Sequence, residues 1–314
     1  MISMSLYNLS YCTPENIPDE ILYYDNPLEQ LAVGQSGKLG VLQLGLEHDP
    51  DSHKTSIKHQ YYKVPLCIKR ALYIEETFPE MAYVYIISPS GGILQGDRYR
   101  IDITLTNSAK SHVTTQSATR IYRMNKNFGS QIINLNVDKD CYLEYIPDQI
   151  IPFRDSRFYQ VSNIKVHDEA TCIYSEILSP GRVASNESFE YDICYMKVKS
   201  VNQDDKLRLI DVAKIEPKVE NIRSFGILNN YEILGNVYIL TPKDKVNPIQ
   251  NEILEILSGT KKAIGGCTKL PGENGLLIRL LGSFVYDIRD VIYSIVRIVR
   301  KNVLNVSFSG IRKA

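Results

Sequence analysis

The 314-residue chain has no tryptophan, no Cys-x-x-Cys pair and no net charge, since 36 Lys and Arg balance 36 Asp and Glu. The balance excludes an overall field that would gather nucleic acid or an anionic membrane, so neither is expected as a partner. Cys12, Cys67, Cys141, Cys172, Cys194 and Cys267 are widely spaced. That spacing suits reduced, buried thiols and argues against a disulfide framework or a structural zinc site. Tryptophan is the usual platform for sugar rings, and its absence weakens the case for a carbohydrate cleft. Long apolar runs are missing too. The most apolar stretch, near the C-terminus, is broken by Asp287, Arg289, Asp290, Arg297 and Arg300, whereas a membrane span needs about 20 mostly uncharged residues. The opening MISMSLYNLSY has neither a basic start nor an apolar run, so no secretory leader is expected and a cytoplasmic location is.

What the chain does contain is period-two alternation. Tyr99, Ile101, Ile103 and Leu105 alternate with polar residues, as do Ile133, Leu135 and Val137, and then Phe189, Tyr191, Ile193 and Tyr195. Successive strand side chains point to opposite faces, so each run has one face to bury. Polar clusters at Asn107-Ser108, Asn125–Gly129, Asp138–Asp140 and Gln203–Lys206 read as turns between strands. A mainly β body follows, and the pattern alone leaves sandwich and solenoid open. Two helices are expected in the C-terminal third. Asn247-Pro248 reads as an N-cap and first turn, with Gly259 as the stop. Further on, Val285, Ile288, Val291, Ile292, Ile295 and Val299 form one helical stripe, opposite Asp287, Asp290, Ser294, Arg297 and Lys301. The stretch from His48 to His59 reads as an exposed polar loop. No linker interrupts the chain, so residues 1–314 are read as one domain.

No segment amounts to a catalytic signature. Leu39 follows Gly37-Lys38 where a phosphate loop needs Ser or Thr. His48, His53 and His59 lie near Asp49 and Asp51, but without the i, i+4 spacing of a helical metal site. Asp97, Asp148, Glu176 and Glu187 border strands beside Gly or Pro or near them. Two acids among Asp97, Asp148 and Glu176 would suffice for a glycosidase-type pair. Ser90 and Ser117 lack the Gly-x-Ser-x-Gly setting of a nucleophile.

The segment from Ser88 onward carries a resemblance. Ser88-Pro-Ser-Gly-Gly-Ile-Leu-Gln-Gly-Asp97 contains Gly-Gly-x-x-x-Gly-Asp, and Thr114-Thr-Gln-Ser-Ala-Thr-Arg-Ile-Tyr-Arg123 follows it. Then come Leu143-Glu-Tyr-Ile-Pro147, Ile177-Leu-Ser-Pro-Gly-Arg182 and Glu187-Ser-Phe189. In this order the motifs resemble those of the urease accessory protein D family, called H in some operons. Lys54-Thr55, Pro65-Leu66, Gly275–Gly282 and the Arg312-Lys313 ending extend the likeness over most of the chain. One departure is Glu176, where the family usually has Asp, so that carboxylate is longer by a methylene.

The resemblance implies a β-helix-like body of stacked strands and a scaffold role in urease maturation without catalysis of its own. It implies three partners: apo-urease, accessory protein F and, through F, the nickel-carrying GTPase G, to which GTP hydrolysis belongs. No tightly bound cofactor is expected; nickel would pass in transit. Isolated carboxylates and hydroxyls release a metal that a His/Cys cage would retain, so Asp97, Glu176, Thr115 and Thr119 are the expected transit residues. Gly91, Gly92 and Gly96 are expected to bend the backbone beside Asp97. Arg120, Tyr122 and Arg123 are interface candidates. The competing expectations are a β-solenoid carbohydrate hydrolase with paired carboxylates and a β-scaffold with no metal role.

Overall fold

The computed structural model describes residues 8–27, 36–308 and 310–311. Residues 1–7, read above for a leader, and the Arg312-Lys313 ending lie outside them. Two short helices, α1 (Leu9–Cys12) and α2 (Asp19–Leu22), precede the hairpin β1 (Leu39–Asp49) and β2 (Lys54–Lys63). Next come β3 (Ala82–Ile86), β4 (Arg98–Thr106), β5 (Lys110–Thr115), β6 (Thr119–Ile121), β7 (Gly129–Val137), β8 (Tyr142–Tyr145) and β9 (Ile150–Pro152). They are followed by β10 (Arg157–Val166), β11 (Thr171–Leu178), β12 (Ile193–Val201), β13 (Leu207–Ile215) and β14 (Ile233–Leu240). Helix α3 (Lys243–Gly259), β15 (Ala263–Lys269), β16 (Gly275–Gly282) and helix α4 (Val285–Leu304) complete the order.

The strands form two sheets. One runs β13-β12-β10-β7-β4-β1-β2, the other β15-β16-β14-β11-β8-β5-β3, with β6 and β9 beside it. Between β4 and β12 the chain crosses from one sheet to the other and back, adding parallel neighbours to each. This is the stacked, solenoid-like arrangement, and the antiparallel strands β2 and β13 end the first sheet. The pleat explains the core. Leu44, Ile103, Leu135 and Ile164 occupy matching register positions and are all buried between the sheets. Burial of each such side chain contributes about 1.5–3 kcal/mol. One residue earlier, Asp102, Asn134 and Asn163 form an outward row, in which each Asn donates to its neighbour at 2.6 and 2.9 Å.

A second apolar layer lies outside the β11-β14-β16 sheet. Ile249 and Ile253 of α3 and Ile288, Ile292, Ile295 and Val299 of α4 pack there on Val237, Ile239, Ile278 and Leu280. On the opposite sheet, Ile21 of α2 closes over Phe128, Ile132, Tyr159 and Ile193. No helix is long and apolar enough to cross a membrane. All six cysteines are free, and burial pushes the Cys12, Cys141 and Cys267 thiols up to about 11.

Four expectations shift. The run Phe189–Tyr195 is not one strand: Phe189 sits at φ +57° and β12 begins only at Ile193. Helix α3 starts a turn early, at Lys243, and takes Pro248 inside it. Burying Val246 together with Ile249 and Ile253 outweighs the backbone bond that Pro248 cannot make. His48–His59 is mostly the β1–β2 hairpin, which gives a ladder to residues expected in a loop. Finally, Asp287 belongs to the buried face of α4 and not to its polar one.

Candidate functional site

At the start of β4, β7 and β10 the apolar interior is interrupted. Gln131 and Gln160 take inward positions that Ile133, Leu135 and Ile164 hold further along the same strands, and both are buried. Opposite them, β11 directs Tyr174 and Glu176 inward. The result is a cavity of about 90 Å³ between the sheets, larger than the ~30 Å³ share of one water. Its walls include Thr115, Thr119, Arg120, Asp148, Tyr99 and Glu176.

Glu176 is the buried charge of this cavity. Its Oε1 accepts from the Gln160 amide at 2.8 Å and from the Tyr174 hydroxyl at 2.7 Å. Gln131 donates in turn to Gln160 at 3.1 Å, and Ser162 and Tyr174 share a bond of 2.7 Å. Burial pushes the Glu176 carboxyl up to about 7, against the hydrogen bonds from Tyr174 and Gln160 that favour its charged form. Across the ladder Glu176 faces Asn236, and Asn236 faces Arg279.

Asp97 stands behind the wall. It accepts from the backbone N–H of Lys38 at 2.8 Å and of Leu94 at 2.9 Å, and from Tyr99 Oη at 3.3 Å. The buried Lys38 ammonium is 3.2 Å away. Burial raises its carboxyl above the usual range, while Leu94 and Lys38 counter this. Tyr99 therefore links Asp97 to the cavity by one hydrogen bond. Thr115 Oγ1 accepts the Asp148 N–H at 2.9 Å, and the Thr119 N–H donates to the Gln149 carbonyl at 2.9 Å. Thus Glu176, Asp148, Thr115 and Thr119 meet at one cavity, and Asp97 does not line it.

The three glycines divide by role. Only Gly96 has positive φ, +74°. Gly91 and Gly92 instead lie against Tyr122, and a Cβ on Gly92 would also meet the Arg120 carbonyl. Gly92→Ala is expected to destabilise the fold by about 1–3 kcal/mol through overpacking, read as a lower urea midpoint at unchanged m. An unchanged midpoint would show that the backbone at Arg120 as well as the Tyr122 ring can give way to a methyl group. At the rim, Arg120 and Arg123 are exposed and Tyr122 is half-buried against Phe153, with ring centroids 4.8 Å apart. Arg123 pairs with Asp155 at 3.1 Å.

Among the described residues no three His, Cys, Asp or Glu side chains are grouped to hold a metal ion. Sequence reasoning passed over Lys38, Gln131, Gln160 and Tyr174. A glutamine in the inward phase of an otherwise apolar strand was the signal for two of them.

The comparisons with known proteins agree in direction. The family model described as UreD urease accessory protein matches residues 38–312. The urease accessory protein UreD of Cenarchaeum symbiosum is 42% identical over 284 residues, which cover 90% of this chain and 99% of that protein. Urease accessory protein UreD 2 of Brucella canis is 36% identical over 290 residues, covering 92% and 95%. UreD of Photorhabdus laumondii is 34% identical over 294 residues, covering 93% and 91%.

Proposed function

The chain belongs to the family of UreD urease accessory proteins, and from that premise we propose that it is a non-catalytic maturation chaperone for nickel insertion into urease. In this reading it works in the cytoplasm and joins apo-urease to accessory protein F. Protein F brings the GTPase G, which alone turns over GTP. The accessory naming of the relatives fits a protein without an activity of its own.

The observation that carries the nickel part is the cavity. Its polar groups include the oxygen ligands Glu176, Asp148, Thr115 and Thr119. Oxygen ligands in small number bind a divalent cation weakly enough to let it leave. Nickel is here the cargo. Glu176 would attract it, the threonine hydroxyls and Gln160 would replace part of its water, and Asp97 would act from behind Tyr99. Arg120, Tyr122 and Arg123 would form part of the surface that a partner covers.

The test is to co-purify the tagged chain with accessory protein F and to supply the complex, with G and nickel, to apo-urease. A stoichiometric complex that activates urease is the expected result. Failure of the chain and F to associate in the presence of urease and G would overturn the scaffold reading. Asp97→Ala is a poor probe of nickel passage, because it leaves the Lys38 ammonium buried without its carboxylate.

A further inference from the structure

The polar row that begins at Glu176 continues away from the cavity. Glu176 on β11, Asn236 on β14 and Arg279 on β16 are successive cross-strand neighbours, so their side chains share the inward face of the sheet. Asn236 is buried, one strand behind Glu176. Arg279 is the outer member. Its next neighbour, on β15, is Gly266, which has no side chain to cover it, and the Arg279 side chain is 46% exposed. It opens onto the cleft between β13 and β15. A chain of hydrogen bonds follows the row inward. Tyr238 Oη donates to Asp211 Oδ2 at 2.7 Å, and Arg279 Nη2 donates to Asp211 Oδ1 at 2.6 Å. Arg279 Nη1 donates to Asn236 Oδ1 at 3.4 Å, and Asn236 is in turn a hydrogen-bond partner of Glu176.

Donor chemistry fixes how the Asn236 amide lies. A guanidinium carries only donors, so it demands the amide oxygen. The amide nitrogen is then left for Glu176, where an N–H favours the carboxylate over the acid. Turned over, the amide would set its N–H groups against the guanidinium and its oxygen against Glu176, an arrangement that suits only a protonated carboxyl. Two strand spacings separate Glu176 from Arg279 by roughly 10 Å, about one Debye length. The amide between them therefore delivers what the bare charge would deliver weakly. We infer that Arg279 is a positioning residue of the cavity: it holds the Asn236 amide with its N–H groups toward Glu176, and Asp211, itself held by Tyr238, keeps Arg279 in place. The inference rests on Glu176 as the working carboxylate of the proposed function, and it places the control of that charge outside the cavity.

The tyrosines and the thiol around Glu176 stay neutral where it titrates, at about 7. Burial pushes Tyr99, Tyr145, Tyr174, Tyr238 and Cys194 up from their ordinary values. The other charged groups that face it are Asp211 on β13 and, across the cavity, Asp148 and Arg120. Among the described residues that line the cavity none is histidine. Burial is the main cause of the raised Glu176 carboxyl; the Asp211 charge adds to it and the Asn236 bond opposes it.

The test is the pH profile of urea unfolding, followed from about pH 5 to about pH 9. Arg279→Met is combined with Asp211→Asn, so that no unpaired acid is left to act on Glu176. A carboxyl raised further above its unfolded value goes on losing stability to a higher pH. The decline is expected to extend upward by about one pH unit, the tenfold change in proton affinity that one hydrogen bond to the charged form carries. Arg279→Gln with Asp211→Asn, a milder change, should give the same shift and guards against misfolding. Asn236→Ala should also give it, and adding Asn236→Ala to the Arg279 variant should move the profile no further. In Glu176→Gln the profile should be flat with or without Arg279. The inference is overturned if both Arg279 variants keep the parental profile, or if their shift adds in full to that of Asn236→Ala. A decline that persists in Glu176→Gln overturns it too, because another group then titrates. Nickel and urease take no part in this measurement, so a failure of nickel passage leaves its result untouched.

Discussion

Replacing Arg300 with Met is expected to cost the fold about 3–5 kcal/mol, the penalty for leaving a buried charge without its partner. Arg300 lies on α4 with its side chain fully buried, as is that of Glu144 on β8. The pair is bidentate: Nε donates to Oε1 at 2.6 Å and Nη2 to Oε2 at 2.7 Å. Nη1 donates to Glu75 at 2.7 Å and Nη2 also to Tyr83 Oη at 3.0 Å. Glu144 holds two further groups, Tyr142 Oη at 2.9 Å and His112 Nδ1 at 2.5 Å. Removing the guanidinium strands both carboxylates under α4, so the helix that covers the outer sheet loses its anchor.

Urea unfolding measures this directly. If Arg300→Met leaves the midpoint where it was, the network does not hold α4. Adding Glu144→Gln to Arg300→Met should destabilise less than the sum of the two changes, because the second removes the charge the first stranded. The pH dependence has a definite sign. Burial alone would raise the Glu144 carboxyl, but Arg300, and then His112, bring it down to about 2. A depressed acid contributes stability above its unfolded value, here 4.5, and that contribution is lost as pH falls toward 2. Acid unfolding should therefore sharpen in that window and flatten in the Arg300 variant.

None of that network could be read from Arg300 in the sequence, where it looked like an interruption of an apolar stretch. Its partner Glu144 lies 156 residues away, and no local pattern reports such a pairing. Strands β4 and β7 were legible because Tyr99–Leu105 and Ile133–Val137 each keep one apolar face through the whole run. Phe189–Tyr195 has the same alternation but straddles a turn, and Tyr191 is buried outside any strand. Asn247-Pro248 carries a correct local signal for a helix start, and the packing of Val246 overrides it. The site divides in the same way. The motifs marked Glu176, Thr115 and Thr119, which the fold brings to one cavity, but Asp97 proves to hold a backbone turn. Gln131 and Gln160 come from strands 29 residues apart in sequence. Only stacking of the coils joins them.

Glu176→Gln should make the chain more stable at pH 8 and less able to mature urease. The first half follows from the carboxyl itself. Its value in the fold is about 7, above 4.5 in the unfolded chain, so the folded state holds the proton more tightly. Stability is then greatest below 4.5 and declines as pH rises through the window to about 7. At about 1.4 kcal/mol per pKa unit, the ionised form is penalised by about 3 kcal/mol. Glutamine has the same size, still accepts from Tyr174 and Gln160 through its carbonyl oxygen, and carries no charge to bury. The urea midpoint of the variant should therefore stay flat between about pH 5 and about pH 8, which brackets the Glu176 value of about 7, while that of the parent falls. The second half rests on the nickel reading: loss of the anionic ligand should lower urease activation by about 10–100-fold, as loss of a metal-orienting group does. Assembly with accessory protein F should stay intact. Because the variant is the more stable protein, a loss of activation cannot be ascribed to misfolding. Full activation by Glu176→Gln would remove nickel passage from this cavity and leave the chain as a scaffold.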